Sequence, residues 1–296
     1  MLMTRRRMMG KEPKNPYADK YFTIRAISGS GTLYWEYESS QDYWYRAYSA
    51  NNTEERLWFS KNGGAWSQYS IGYGISMSEG DSVRFKSSIN PNYIYVFYQD
   101  NYETPQQVDG LGHFQSWNTS SNDPLKFAVE GNVLSLLYSD SFEDKTVKSD
   151  AFIYLLGAMP VVTAENLVLP PNTASKCYSS MFSGCTSLTA APALPATELK
   201  SECYSHMFRG CTNLITAPVL PATTLASKCY HYMFNGCTAL NYVKAMFTTT
   251  PSSSYTSNWL YNVAASGTFV KNSAATWTTT GASGVPSGWT VQTAST

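Results

Sequence analysis

The sequence predicts an α+β chain: an N-terminal antiparallel β-sandwich, a short solenoid of 26-residue repeats, and a C-terminal β cap. Three observations carry that expectation. The motif C-Y-x-x-M-F-x-G-C-T-x-L starts at Cys177, Cys203 and Cys229, a fixed period of 26 residues. Such self-similarity means units that bury their apolar faces against each other. Upstream, the hydrophobic period is two, in short runs rich in aromatic and β-branched residues. Downstream, the chain is polar with two short apolar runs, S-G-T-F-V-K-N and S-G-W-T-V-Q. The expected boundaries are 1–20 for an extended basic arm, 21–130 for the sandwich, 131–265 for the repeats with end caps, and 266–296 for the cap.

The arm carries Arg5, Arg6, Arg7 and Lys11 but almost no apolar residues beyond methionine. A secretory signal needs an apolar stretch of roughly 7–15 residues, so no export signal is expected. With no core of its own, the arm is expected to gain order only against a partner. Those four cations are its candidate anchors.

From Tyr21 onward, runs such as YFTIRAI, TLYWEYE, RLWFSKN, SVRFKSS and LKFAVEG read as strands. Gly29-Ser30-Gly31, Glu79-Gly80-Asp81 and Asn90-Pro91-Asn92 read as turns, and Asn62-Gly63 as a hairpin. Tyr and Trp exceed what a core needs. The excess reads as oligomer interface ahead of a stacking platform for sugars, because no isolated aromatic pair stands out. The acidic stretch after Leu134, Leu136 and Leu137 is expected to be a solvated connection.

Each repeat reads as a short helix and a short strand. Ser175, Ser201 and Ser227 stand where a hydroxyl caps a helix. Cys177, Tyr178, Met181 and Phe182 make one apolar stripe, and Gly184, Gly210 and Gly236 end the helix in the left-handed conformation. The strand that follows is stopped by Pro195 and Pro221. That is the leucine-rich-repeat layout. The expected repeat core is Cys177, Met181, Phe182, Cys185 and Leu188; Cys203, Met207, Phe208, Cys211 and Leu214; and Cys229, Met233, Phe234, Cys237 and Leu240. Degraded copies flank it, with Leu155-Leu156 before and Tyr255 and Trp259-Leu260 after.

All six cysteines lie in the repeats. Cys185, Cys211 and Cys237 share one repeat position, so their Cβ vectors run parallel and cannot all pair. Reduced, buried thiols are expected. No metal is expected, since C-x2-C is absent and His113, His206 and His231 share no spacing with the cysteines. His206 and His231 occupy non-equivalent positions and read as surface decoration. Lys and Arg together number 21, matched by 21 Asp and Glu, so no nucleic-acid partner is expected. No apolar run is long enough to span a membrane. Phosphate-binding, nucleophile-elbow and zinc-protease motifs are absent, so no catalytic residue and no cofactor is expected.

The units F-x-G-C-T-x-L-x-x-A-P-x-L-P at 182–195 and 208–221 resemble the BspA-like class of leucine-rich repeats. The segments A-M-F-T-T-T-P-S-S-S-Y (245–255) and G-T-F-V-K-N-S-A-A-T-W (267–277) are also similar to that group, found in gut anaerobes and their tailed phages. The resemblance implies surface display and binding to host molecules, with no catalytic residues to carry over. Joined to the missing export signal, it gives the expectation of a non-enzymatic phage virion protein. Such a protein would be a capsid decoration, head fibre or tail fibre subunit, localised to the virion and made in the host cytoplasm. Its expected partners are other virion proteins through the N-terminal part, further copies of itself, and host surface glycans or proteins. The alternative is a bacterial cell-surface adhesin or carbohydrate-binding module.

Overall fold

The structure, a computed structural model, describes residues 20–36, 45–46, 57–70, 73–87, 96–98, 106–108, 113–118 and 123–294. In chain order the first strands are β1 (Phe22–Ser28), β2 (Ser30–Glu36), β3 (Tyr45–Arg46), β4 (Leu57–Lys61), β5 (Ser67–Gln68) and β6 (Ile75–Ser78). Then come β7 (Ser82–Ser87), β8 (Val96–Tyr98), β9 (Gln106–Val108), β10 (His113–Asn118) and β11 (Lys126–Asn132). Beyond them lie α1 (Ser135–Tyr138), β12 (Val161–Val168), β13 (Tyr242–Ala245), α2 (Ser253–Thr256), β14 (Gly267–Lys271) and β15 (Trp289–Thr293).

Alternation sets the faces of the first sheets. Phe22, Ile24 and Ala26 of β1, Val83 and Phe85 of β7, and Phe127 and Val129 of β11 all point inward and are buried. They belong to a six-stranded sheet ordered β12-β11-β1-β7-β4-β5. A three-stranded sheet, β10-β2-β6, faces it with Leu33, Trp35, Ile75, Met77 and Phe114. Phe114 is where the two faces meet: its ring lies 5.6 Å from Phe22, 4.8 Å from Phe85 and 4.6 Å from Trp35. Burying one such ring is worth about 1.5–3 kcal/mol. At Asn62-Gly63 both φ angles are positive, +50° and +74°, the geometry of a tight hairpin turn. Asp81 fastens that turn through Lys61 (2.8 Å) and Asn62 (2.7 Å), which in that order hold its carboxyl down at about 2.

One expectation for this part needs correction. The six-stranded sheet is not purely antiparallel, because β12 pairs parallel to β11, with Gly131 opposite Leu167. A parallel pair requires a long crossover, and residues 133–160 supply it with turns. Within that crossover the acidic loop at 140–146 is exposed apart from Phe142, as expected, while Leu134, Leu136, Val147, Ala151 and Phe152 on either side of it are buried.

The α+β class with a leucine-rich-repeat solenoid is overturned. Among the described residues regular structure is nearly all sheet, 32% strand against 4% helix, and no sheet forms a solenoid. Among the described residues α1 and α2 are the helices, four residues each, and neither lies in the repeat motif. Each motif folds instead as a run of four-residue turns. The amides of Ser179, Met181, Ser183 and Cys185 donate three residues back, to Lys176, Tyr178, Ser180 and Phe182. The amides between them leave the unit: Lys176, Tyr178, Ser180, Phe182 and Gly184 donate to Ser201, Cys203, Ser205, Met207 and Arg209 at 2.7–3.0 Å. The same ladder joins the next two motifs and the flanking segments at 150–158 and 254–261.

Left-handed residues make this possible. In the first motif φ is positive at Lys176, Ser180 and Gly184, in the second at Glu202, His206 and Gly210, and in the third at Lys228, Tyr232 and Gly236. One reversal every four residues breaks the helical i→i−4 register and turns alternate N–H groups toward the neighbouring unit. Apolar residues at i, i+1, i+4 and i+5 suit a period of four as well as one of 3.6, since the two barely diverge over nine residues. Ser175, Ser201 and Ser227 therefore cap no helix. Their carbonyls accept from Asp150, Lys176 and Glu202 of the preceding units.

The extended halves of the repeats are short, touching their neighbours through single parallel bridges such as Thr163–Ala190 and Thr216–Tyr242. The stack closes on a parallel sheet, β13-β14-β15. Trp259 and Trp289 pin it, their indole N–H groups donating to Gly284 (2.9 Å) and Ala264 (2.8 Å).

Candidate functional site

The fifteen expected repeat-core residues, Cys177 through Leu240, all have 0% exposed surface. Stacking places equivalent side chains in columns. Phe182, Phe208 and Phe234 lie face to face, 5.6 Å apart and within 13° of parallel. Tyr178, Tyr204 and Tyr230 form a second column, continued by Phe152 at one end and Trp259 at the other. The hydroxyls of Tyr178 and Tyr204 are buried without a hydrogen-bond partner, and burial raises both pKa values well above the ordinary phenol.

All six cysteines are free and buried. The second cysteine of each motif does more than fill space. Cys185, Cys211 and Cys237 donate their thiols to the carbonyls of Leu156, Phe182 and Phe208 at 3.0, 3.1 and 3.0 Å. Burial pushes the Cys203 thiol up to about 11 and Cys229 to about 12, and holds Cys177, Cys185 and Cys211 high as well. Thiolates are therefore scarce at neutral pH. We expect no reaction with Ellman's reagent in the native protein and six thiols in denaturant without reductant. A titre of four or fewer would contradict the parallel-column geometry.

The positions that differ between motifs face the other way. Among them are Lys176/Glu202/Lys228, Ser179/Ser205/His231, Ser180/His206/Tyr232 and Ser183/Arg209/Asn235. All of these are at least partly exposed except Ser205. Together they line much of a cleft of about 370 Å³ that runs across the edges of the three motifs.

Sequence reasoning missed this site. His206 and His231 hold non-equivalent repeat positions, yet a one-unit offset brings them side by side, with ring centres 5.3 Å apart. His206 stacks on Tyr232 at 5.1 Å and 2°. The Ser205 hydroxyl lies 2.8 Å from His206 Nδ1, and Asn258 donates to the Tyr232 hydroxyl at 2.9 Å. Burial, aided by Lys228 and opposed by Glu202, lowers the His231 pKa, so its neutral form is favoured at pH 7. Three fixed cations, Lys176, Arg209 and Lys228, line the cleft with a single carboxylate, Glu202.

Two other hollows have different chemistry. One of about 490 Å³ lies between β10 and residues 154–160, with Trp117 exposed on its wall and no charged side chain among the described residues of its lining. The other, about 630 Å³, covers the outer face of the six-stranded sheet around Lys20, Arg25, Arg84 and Glu130. Nearby, Trp66 lies under Arg84 (5.4 Å) and Lys86 (4.6 Å), and Asp140 accepts from both Lys86 and Tyr21. Arg5, Arg6, Arg7 and Lys11 lie outside the described residues.

Among the described residues no three His, Cys, Asp or Glu side chains converge as a metal site, and no helix is long and apolar enough to cross a membrane. No family model, no curated protein and no solved structure matches this chain.

Proposed function

We propose that the chain is a non-enzymatic structural subunit of a phage particle, a capsid decoration, head fibre or tail fibre appendage that adheres to the host surface. One observation supports this reading above the rest. The shared Cys, Tyr, Met, Phe and Leu of the motifs are packed inside, while several of the residues that differ, among them Lys176, Glu202, His206, Arg209, Lys228 and His231, line one outward cleft. A rigid framework with its variation exposed suits recognition. The resemblance of the 182–195 and 208–221 units to BspA-like surface proteins points the same way. On this reading the basic arm and the aromatic sheets attach the subunit to other virion proteins and to its own copies.

Mass spectrometry of purified phage particles tests it. The polypeptide is expected there in stoichiometric amount. Its recovery from washed bacterial envelopes and absence from particles would instead make it a bacterial surface adhesin.

A further inference from the structure

We propose that the cleft at the edges of the three motifs binds an acidic sugar of a host-surface polysaccharide; this deepens the adhesive reading above and rests on it. The groups present specify both halves of that ligand. Lys176, Arg209 and Lys228 surround the cleft with positive charge in a chain whose net charge is zero. A carboxylate or sulfate placed there gains charge-assisted hydrogen bonds, bidentate from Arg209.

A bare anion does not account for the rest of the lining. Glu202 would repel it. A sugar carries hydroxyl donors for the Glu202 carboxylate and donors and acceptors for the serines. His206, which lines the cleft, stacks on Tyr232 within 2° and is held by Ser205, and Asn258 holds Tyr232 behind it, so that part of the wall is ordered in advance. A volume of about 370 Å³ is at the small end for ligand sites and fits a short stretch of sugar chain. Nucleic acid is disfavoured, because three cations around a cleft that also holds a carboxylate do not form the extended basic stripe that a phosphate backbone needs.

No unit carries the full set of these groups. Lys176 is followed by Glu202 and then Lys228, and Ser180 by His206 and then Tyr232. One composite site therefore spans three units, in place of three copies of one site.

The test is calorimetric titration of the full chain with oligogalacturonate, oligosialate and a heparin-derived hexasaccharide, with maltohexaose and tripolyphosphate as controls. At least one acidic oligosaccharide is expected to bind about tenfold or more tightly than either control. Lys228→Asn and Arg209→Gln are each expected to weaken that binding about tenfold. His206→Asn is expected to weaken it severalfold. Asparagine is chosen at 206 and 228 because both residues have positive φ, +56° and +50°, which Asn accepts, so the variants should melt like the parent. Failure of every acidic oligosaccharide to bind, binding of tripolyphosphate as tightly as the sugars, or unaltered binding by Lys228→Asn and Arg209→Gln would each overturn the proposal. The virion reading fails separately. A chain that binds acidic sugars but is absent from particles leaves this site standing, and a chain found in particles that binds none removes the site alone.

Discussion

A chain lacking residues 203–228 is expected to melt cooperatively, and one lacking only 203–215 is not. The first deletion joins Glu202 to Cys229, so Tyr178 finds the Cys229 carbonyl where it had Cys203, and Phe182 stacks on Phe234 where it had Phe208. Every inter-unit amide keeps an acceptor, because the hydrogen-bond ladder repeats with the sequence period. The cost is one unit's packing and one interface, since stability in stacked repeats is close to a sum over neighbours. The second deletion retains Ala217, Leu220 and Ala222 of the unit but shifts turn positions against extended ones. Alternate amides then face side chains, and the Phe, Tyr and Cys columns are broken. Calorimetric melting distinguishes the two. Equal behaviour of both deletions would mean that the ladder does not hold the units together.

Phe208→Ala is expected to lower unfolding stability by about 3–5 kcal/mol. The ring has no exposed surface and is stacked 5.6 Å from Phe182 on one side and from Phe234 on the other. Its neighbours are fixed by backbone bonds to units above and below, so they cannot close on the void. The carbonyl of Phe208 also accepts the Cys237 thiol, so a shift of this backbone disturbs a second column. Urea unfolding followed by tryptophan fluorescence measures the loss. Arg209→Ala, one residue on and exposed, serves as the control and should move stability by less than about 0.5 kcal/mol. A Phe208→Ala loss comparable to that control would show that the phenylalanine column is not packed as described.

The repeat period was legible because stacked units must match in length. The apolar positions were legible because packing demands the same side chains in each copy. The local conformation was not. At left-handed positions only Gly184, Gly210 and Gly236 announce themselves, while Lys176, Ser180, Glu202, His206, Lys228 and Tyr232 adopt positive φ without any sequence signal. The backbone strain there, about 1–2 kcal/mol for each non-glycine residue, is offset by hydrogen bonds to units far away in sequence. Local propensity contains no trace of those bonds.

The strands of the first two sheets follow their alternation, as in FTIRAIS and SVRFKS. The parallel partner of β11 was hidden because its pairing depends on a crossover of turns that reads as loop. The cleft was hidden for a related reason. Aligning the repeats separates His206 from His231, and only the one-unit offset between donor and acceptor rungs makes them neighbours.

The turn-built unit is the central claim, and Ser180→Gly tests it most directly. Ser180 has φ +56°, its amide donates to Ser205 at 2.8 Å, and it lies within the C-Y-x-x-M-F segment that a helical reading makes continuous helix. Glycine takes a left-handed φ without the Cβ clash and keeps its amide. In a turn, the substitution removes strain and should raise unfolding stability by up to about 1 kcal/mol, net of the entropy that glycine adds to the unfolded chain. In a helix interior, it should lower stability by about 0.5–1 kcal/mol. The account predicts a higher urea midpoint for Ser180→Gly at unchanged slope; a lower midpoint by that margin would contradict it.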